Sequence, residues 1–250
     1  MSAPPPSLRR LHGEVSVYPS TDEVASAAAT IVERAAQDAC AARGRFTIAL
    51  AGGNTPKALY HLLAQETHRS RIEWPLWYVY FGDERAVPPD DKESNYHMAR
   101  ETLLDHVAVD PEHIRRMPAD QADLDLAADE YAITVHGDLA ESPEHGPRFD
   151  CIILGLGENG HTASLFPGTH ALEVADKWVV RGRADYAPYD RLTFTFPTIN
   201  AAQLVMFLTD GESKNEALRN TAAGLTPAAR VQPVNGTLHW LIDRAAAGDG

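Results

Sequence analysis

The sequence predicts one domain of class α/β, a three-layer α/β/α sandwich whose mostly parallel, Rossmann-like sheet carries helices on both faces. Three observations predict it. Short apolar runs alternate with helix-period stretches along the chain, the pattern of a parallel sheet built from crossover units. Glycine-rich loops directly follow several of those runs, at the strand ends where open α/β sheets bind ligands. The 250 residues contain no Ser/Gly-rich or charge-run break, so they suffice for a single large core.

Taken in order, MSAPPPSLRR lacks the apolar centre of a secretory signal and reads as a flexible leader over residues 1–10, ahead of a domain over 11–247. Glu14–Tyr18 reads as a short strand. Ser20-x-x-Glu23 is a capping box opening a long alanine-rich helix that Gly44 should end. Residues 46–51 form a buried apolar run, and further strands are expected at 77–81, 149–154, 178–180, 192–196, 204–208 and 238–242. Helical spacing is clearest over 93–104, 123–139 and 213–220.

Lysine plus arginine is 22 against 35 for aspartate plus glutamate, a net charge of −13. That argues against nucleic acid or an anionic membrane surface as the main partner. A small anionic ligand stays open, because screening over about 8 Å lets a local cluster of cations dominate a pocket. No run of about 18 apolar residues offers a membrane span. Cys40 and Cys151 have neither disulfide nor metal spacing, which suits a reduced cytoplasm. His-Glu-x-x-His, Cys-x-x-Cys and Gly-x-Ser-x-Gly are all missing, and His106, His113, His136, His145 and His170 have no ligand spacing and read as surface or structural. No metal and no cofactor are expected.

Four loops look chemical. Residues 150–168, DCIILGLGENGHTASLFPG, run from an apolar strand into Gly155-x-Gly157-x-x-Gly160 and then His161. The glycine spacing is that of a dinucleotide fingerprint, but Pro167 and Gly168 leave no room for a crossover helix. The alternative is a glycine loop that presents His161, or simply a tight strand exit. Gly52-Gly53-Asn54-Thr55-Pro56 follows the run ending at Ala51; with Thr55 as N-cap and Pro56 as first helical residue, its free amides would face an anion. Gly82-Asp83-Glu84-Arg85 crowds three charges at the next strand end, as ligands or as a solvated rim, and Ser94 and Asn95 read as a helix cap. Arg191 at a strand start and Lys214 in Gly211-x-x-Lys214 could close a phosphate site, although each alone reads as a surface cation.

In this order the four blocks resemble the 6-phosphogluconolactonases, within the wider group that includes the glucosamine-6-phosphate isomerase/deaminases. AGGNTP is similar to that family's phosphate loop, FGDERAVPPDDKESNY to its Gly-Asp-Glu-Arg block, LGLGENGHTASLFPG to its Gly-His block, and RLTFTFPTINAAQLVMFLTDGESKNEAL to its C-terminal Arg-x-Thr strand and Gly-x-x-Lys turn. Arg85, where the deaminases usually have tyrosine, and Ser164-Leu165-Phe166-Pro167, where they have Phe-Asn-Glu-Pro, place the chain nearer the lactonases. The sequence departs from the pattern at Asn54, where Ser or Thr is usual, and at Asn159, where aspartate is usual.

The resemblance implies metal-free hydrolysis of 6-phospho-D-glucono-1,5-lactone, a small-molecule sugar-phosphate lactone, by a monomer or weak dimer. It implies His161 as the base that activates water, Arg85 as oxyanion or substrate clamp, and Asp83 as a sugar contact. Gly52, Gly53, Asn54, Thr55, Arg191 and Lys214 would hold the phosphate, with Asn159 and Gly160 supporting the histidine. A neutral Asn159 can hydrogen-bond His161 but cannot raise its basicity as a carboxylate would. A deaminase-like enzyme and a non-catalytic sugar-phosphate sensor are the competing readings. The sensor would need a DNA-reading module that ten leader residues cannot hold.

Overall fold

A computed structural model of the chain describes residues 3–139 and 147–248; His145 lies outside them. The strands are β1 Glu14–Tyr18, β2 Phe46–Leu50, β3 Trp77–Phe81, β4 Asp83–Arg85, β5 Cys151–Gly155, β6 Val179–Arg183, β7 Asp190–Phe194, β8 Leu204–Thr209 and β9 Thr237–Asp243. The α-helices are α1 Thr21–Arg43, α2 Asn54–Leu63, α3 Glu66–Arg69, α4 Asn95–Thr102, α5 Leu124–Asp138, α6 Phe196–Ala201, α7 Asn215–Ala222 and α8 Arg244–Ala247.

Six strands form a parallel sheet in the order β1-β9-β8-β5-β2-β3. Every residue of β2 and β8 is buried, so both faces of these strands are covered, as a parallel sheet requires. Phe207 of β8 and its register partner Trp240 of β9 stack with ring centroids 3.8 Å apart. Because the strands run parallel, the loops after β2, β3, β5 and β8 gather at one edge.

Most element boundaries lie close to those the sequence suggests. Ser20 accepts the Glu23 N–H at the start of α1, and Gly44 ends it in a left-handed conformation with φ +70°. Asp123 caps α5. A second sheet was not expected. β4, β7 and β6 pair antiparallel, with Asp83, Glu84 and Arg85 opposite Thr193, Leu192 and Arg191. Three charged residues carry no apolar period, so only tertiary pairing makes β4 a strand. Phe196, expected as a strand residue, begins α6, where Pro197 suits the first helical turn. The leader also differs from expectation: a 3₁₀ turn over Pro6–Leu8 buries Leu8 completely in the core, so packing begins before residue 11.

β4 is tied to α4 through Glu84. Its carboxylate accepts N–H groups from Arg85, Asn95 and Tyr96 at 2.7–2.8 Å and the Ser94 hydroxyl at 3.0 Å. Burial pushes its pKa up, and these same donors, Tyr96 first, oppose the shift. A charge at a helix N-terminus satisfies amides that would otherwise be orphaned. Replacing Glu84 with alanine would leave those buried donors unpaired, so Glu84→Ala should destabilise the protein by about 3 kcal/mol. Denaturant unfolding tests this; wild-type stability would contradict the assignment.

Candidate active site

At the carboxyl edge of the sheet lies a cavity of about 480 Å³, a size suited to a small ligand. Gly52, Gly53, Asn54, Thr55, Asp83, Arg85, His161, Arg191 and Lys214 all line it. Asn159 and Gly160 do not. Asn159 sits behind His161 in an adjoining depression shared with Asp185 and Lys214, and Gly160 turns the chain by donating its N–H to Gly157 O at 2.9 Å.

The first wall is the β2–α2 connection. Tyr60 anchors it, its hydroxyl bonding both the N–H and the C=O of Ala51 at 2.9 and 2.8 Å. Helix α2 starts at Asn54, and no side chain caps its first amides. Thr55 is therefore not the N-cap that the sequence suggested. Its hydroxyl donates instead to Asp210, which also accepts the Thr21 hydroxyl at 2.9 Å. Asp210 lines the cavity and was missed, since a lone aspartate after a strand carries no distinctive spacing.

The cations come next. Arg85 and Arg191 are direct register partners across the β4–β7 pair, so both side chains leave the same face. Arg191 is 1% exposed, far from the surface cation it resembles in isolation. It donates to the carbonyls of Pro188 and Asp190 and lies 5.6 Å from the centroid of the Tyr186 ring. Burial, and then the neighbouring Arg85, push its pKa down. Arg85 donates to Glu93 O at 2.5 Å. Among the described residues, no carboxylate oxygen lies within 4.0 Å of the Arg85, Arg191 or Lys214 nitrogens. Other partly buried arginines do have carboxylate partners, as Arg43 has Asp150 and Arg115 has Asp138. Like charges set opposite each other cost stability unless an anion joins them.

Asp83, two residues before Arg85 and on the same strand face, is 8% exposed. The Ser164 hydroxyl donates to it at 2.6 Å and Asn95 Nδ2 at 3.3 Å. Ser94 is the α4 cap, as expected. Asn95 is more than a cap: its side chain turns back to hold Asp83, and a Cβ on Gly52 would fall 1.9 Å from its Oδ1. The sequence hides this because Ser-Asn reads equally well as a helix start.

His161 completes the site. No helix follows the glycine run; an isolated bridge between Thr162 and Leu165 and then Pro167 occupy that stretch, so the dinucleotide geometry is absent. Gly157 is needed for close approach, since a Cβ there would lie 2.0 Å from His161 Nδ1. The ring stacks on Phe166, centroids 4.0 Å apart. Its Nδ1 lies 2.6 Å from Asn159 Oδ1, which also accepts the His161 backbone N–H at 3.1 Å. Burial pushes its pKa down to about 4; Asp83 and Asp185 pull upward, and Lys214 and Arg191 oppose them. At neutral pH the imidazole is uncharged. With an amide oxygen accepting at Nδ1, the proton is assigned there and Nε2 keeps its lone pair.

The cavity thus combines a neutral imidazole, cations without carboxylate partners and an uncapped helix start. Comparison with known proteins bears on what such a site is for. Residues 19–240 match the model of the family described as glucosamine-6-phosphate isomerases/6-phosphogluconolactonase. A 6-phosphogluconolactonase of Synechocystis sp. is 45% identical over 213 residues, covering 83% of this chain and 86% of that one. One from Nostoc sp. is 40% identical over 212 residues, covering 83% and 85%. The solved 6-phosphogluconolactonase of Trypanosoma brucei superposes with a TM-score of 0.84 at 27% identity, over 96% of this chain and 99% of that one. The chain belongs to the glucosamine-6-phosphate isomerase/6-phosphogluconolactonase family and is an enzyme of its 6-phosphogluconolactonase group.

Proposed function

We propose that this chain hydrolyses 6-phospho-D-glucono-1,5-lactone to 6-phospho-D-gluconate, with His161 as the general base and without a metal ion. The observation that carries the reading is a neutral imidazole in one cavity with the opposed Arg85 and Arg191. Nε2 takes a proton from water as the water oxygen bonds to the lactone carbonyl carbon. Arg85 stabilises the oxyanion that forms. When the intermediate collapses, the bond between that carbon and the ring oxygen breaks, and the imidazolium returns its proton to the ring oxygen. The new carboxylic acid then ionises into solvent.

Arg191, Lys214 and the amides of Gly52, Gly53, Asn54 and Thr55 hold the phosphate, so that remote binding energy fixes the carbonyl against the water. Asp83, held by Ser164 and Asn95, accepts from a sugar hydroxyl. The chemistry uses side chains and backbone only, and among the described residues no three His, Cys, Asp or Glu side chains are grouped as metal ligands. No helix among the described residues is long and apolar enough to cross a membrane. Cys40 and Cys151 are free thiols, in keeping with the reducing cytoplasm that we propose as the location.

Loss of a general base commonly costs about 10² to 10⁴ in rate. His161→Ala should lower kcat on that scale while leaving 6-phosphogluconate affinity intact, measured as acid release corrected for spontaneous hydrolysis. A wild-type kcat would remove His161 from the chemistry. Arg191→Ala or Lys214→Ala should act mainly on KM and erase the preference for the phosphorylated lactone; unchanged KM in both would misplace the phosphate. Protonation inactivates a base, and this imidazole titrates far below its ordinary value. The acid limb of kcat/KM should therefore lie near pH 4, with full activity above it. A limb near 6.5, the value of an exposed histidine, would contradict the buried neutral imidazole.

A further inference from the structure

The family pattern places aspartate where this chain has Asn159, which leaves open what orients His161. The Asn159 amide is held from both ends. Its Oδ1 accepts from His161 N and faces Nδ1, while its Nδ2 donates to Asp185 Oδ2 at 3.2 Å. Asp185 lies in the turn between β6 and β7, outside all four blocks that the sequence singles out. The same turn carries Tyr186, whose ring centroid is 6.5 Å from that of His161.

A carboxylate accepts hydrogen bonds and cannot donate them, so Asp185 favours the NH₂ end of Asn159, while the His161 backbone N–H, which can only donate, favours the Oδ1 end from the other side. The amide oxygen must then face the imidazole, where it can only accept. We propose that Asp185 is a positioning residue for His161: through the Asn159 amide it holds the Nδ1–H tautomer and leaves the Nε2 lone pair facing the cavity. Were the amide reversed, its NH₂ would face Nδ1, favour the Nε2–H tautomer and remove the base. During turnover the proton from water resides on Nε2, and Nδ1–H stays on the amide oxygen. The charges around the ring are Asp83 and Asp185, which favour its protonation, and Lys214 and Arg191, which oppose it. An intervening amide passes on orientation without placing a carboxylate in contact with an imidazole whose pKa burial already lowers.

The inference rests on the lactonase reading for its kinetic test and on the tautomer alone for its spectroscopic test. Imidazole ¹⁵N spectra of the full chain should show Nδ1–H in the wild type. Asp185→Ala should raise the Nε2–H fraction and lower kcat about tenfold, the lower end of what loss of an orienting partner costs, with KM within about twofold. Asp185→Asn, whose amide oxygen can still accept from Asn159, should keep both the tautomer and kcat. Adding Asn159→Asp to Asp185→Ala should restore the tautomer, because a carboxylate accepts from Nδ1–H in either orientation, and should move the acid limb upward. Asp185→Ala with the wild-type tautomer and kcat would overturn the proposal, as would failure of Asn159→Asp to restore the tautomer. A wild type inactive on the lactone would instead sink the functional reading, and the spectra would still decide the relay.

Discussion

Two guanidinium groups set opposite each other, with no carboxylate partner between them among the described residues, are the constraint on which the site depends. Arg85 and Arg191 are register partners, in a chain whose net charge is −13 and whose other buried charges are mostly satisfied. Holding them together costs stability, and the fold meets that cost by anchoring β4 from its other face. Strand alternation sends Asp83 and Arg85 toward the cavity and Glu84 away from it, into the first amides of α4. The same turn of α4 returns Asn95 to Asp83. One three-residue strand thus carries a cation, its acidic neighbour and the carboxylate that fixes both.

The second balance concerns His161. Burial against Phe166 lowers its basicity, and Lys214 and Arg191 lower it further. The cations that line the cavity therefore reinforce, after burial, the neutral state of the imidazole. A carboxylate in direct contact would push the other way. Asn159 avoids that contact and hands the orienting role to Asp185 at the rim.

How much of this was legible in the sequence differs by element. The parallel sheet and the ends of α1 could be read because apolar runs, Ser20 and Gly44 act locally. The nine residues expected to bind or react do line one cavity, because they lie on loops after parallel strands and topology alone gathers them. β4 could not be read, since its three charged residues become a strand only by pairing with β7. Thr55 was placed wrongly as a cap because its true partner, Asp210, is 155 positions away. Asn95 and Asp185 act through side-chain hydrogen bonds to residues outside their own element, Asp83 and Asn159, and no local pattern marks such contacts. Arg191 illustrates the same limit: a cation at a strand start gives no sign that it will be almost completely buried.

The most direct test of the opposed cations is calorimetric binding of 6-phosphogluconate against gluconate to the wild-type protein, at low and high salt. The phosphorylated acid should bind at least about tenfold tighter, roughly 1.4 kcal/mol, by a margin that shrinks as salt rises. Equal affinities for the two acids would show that Arg191 and Lys214 do not form a phosphate site.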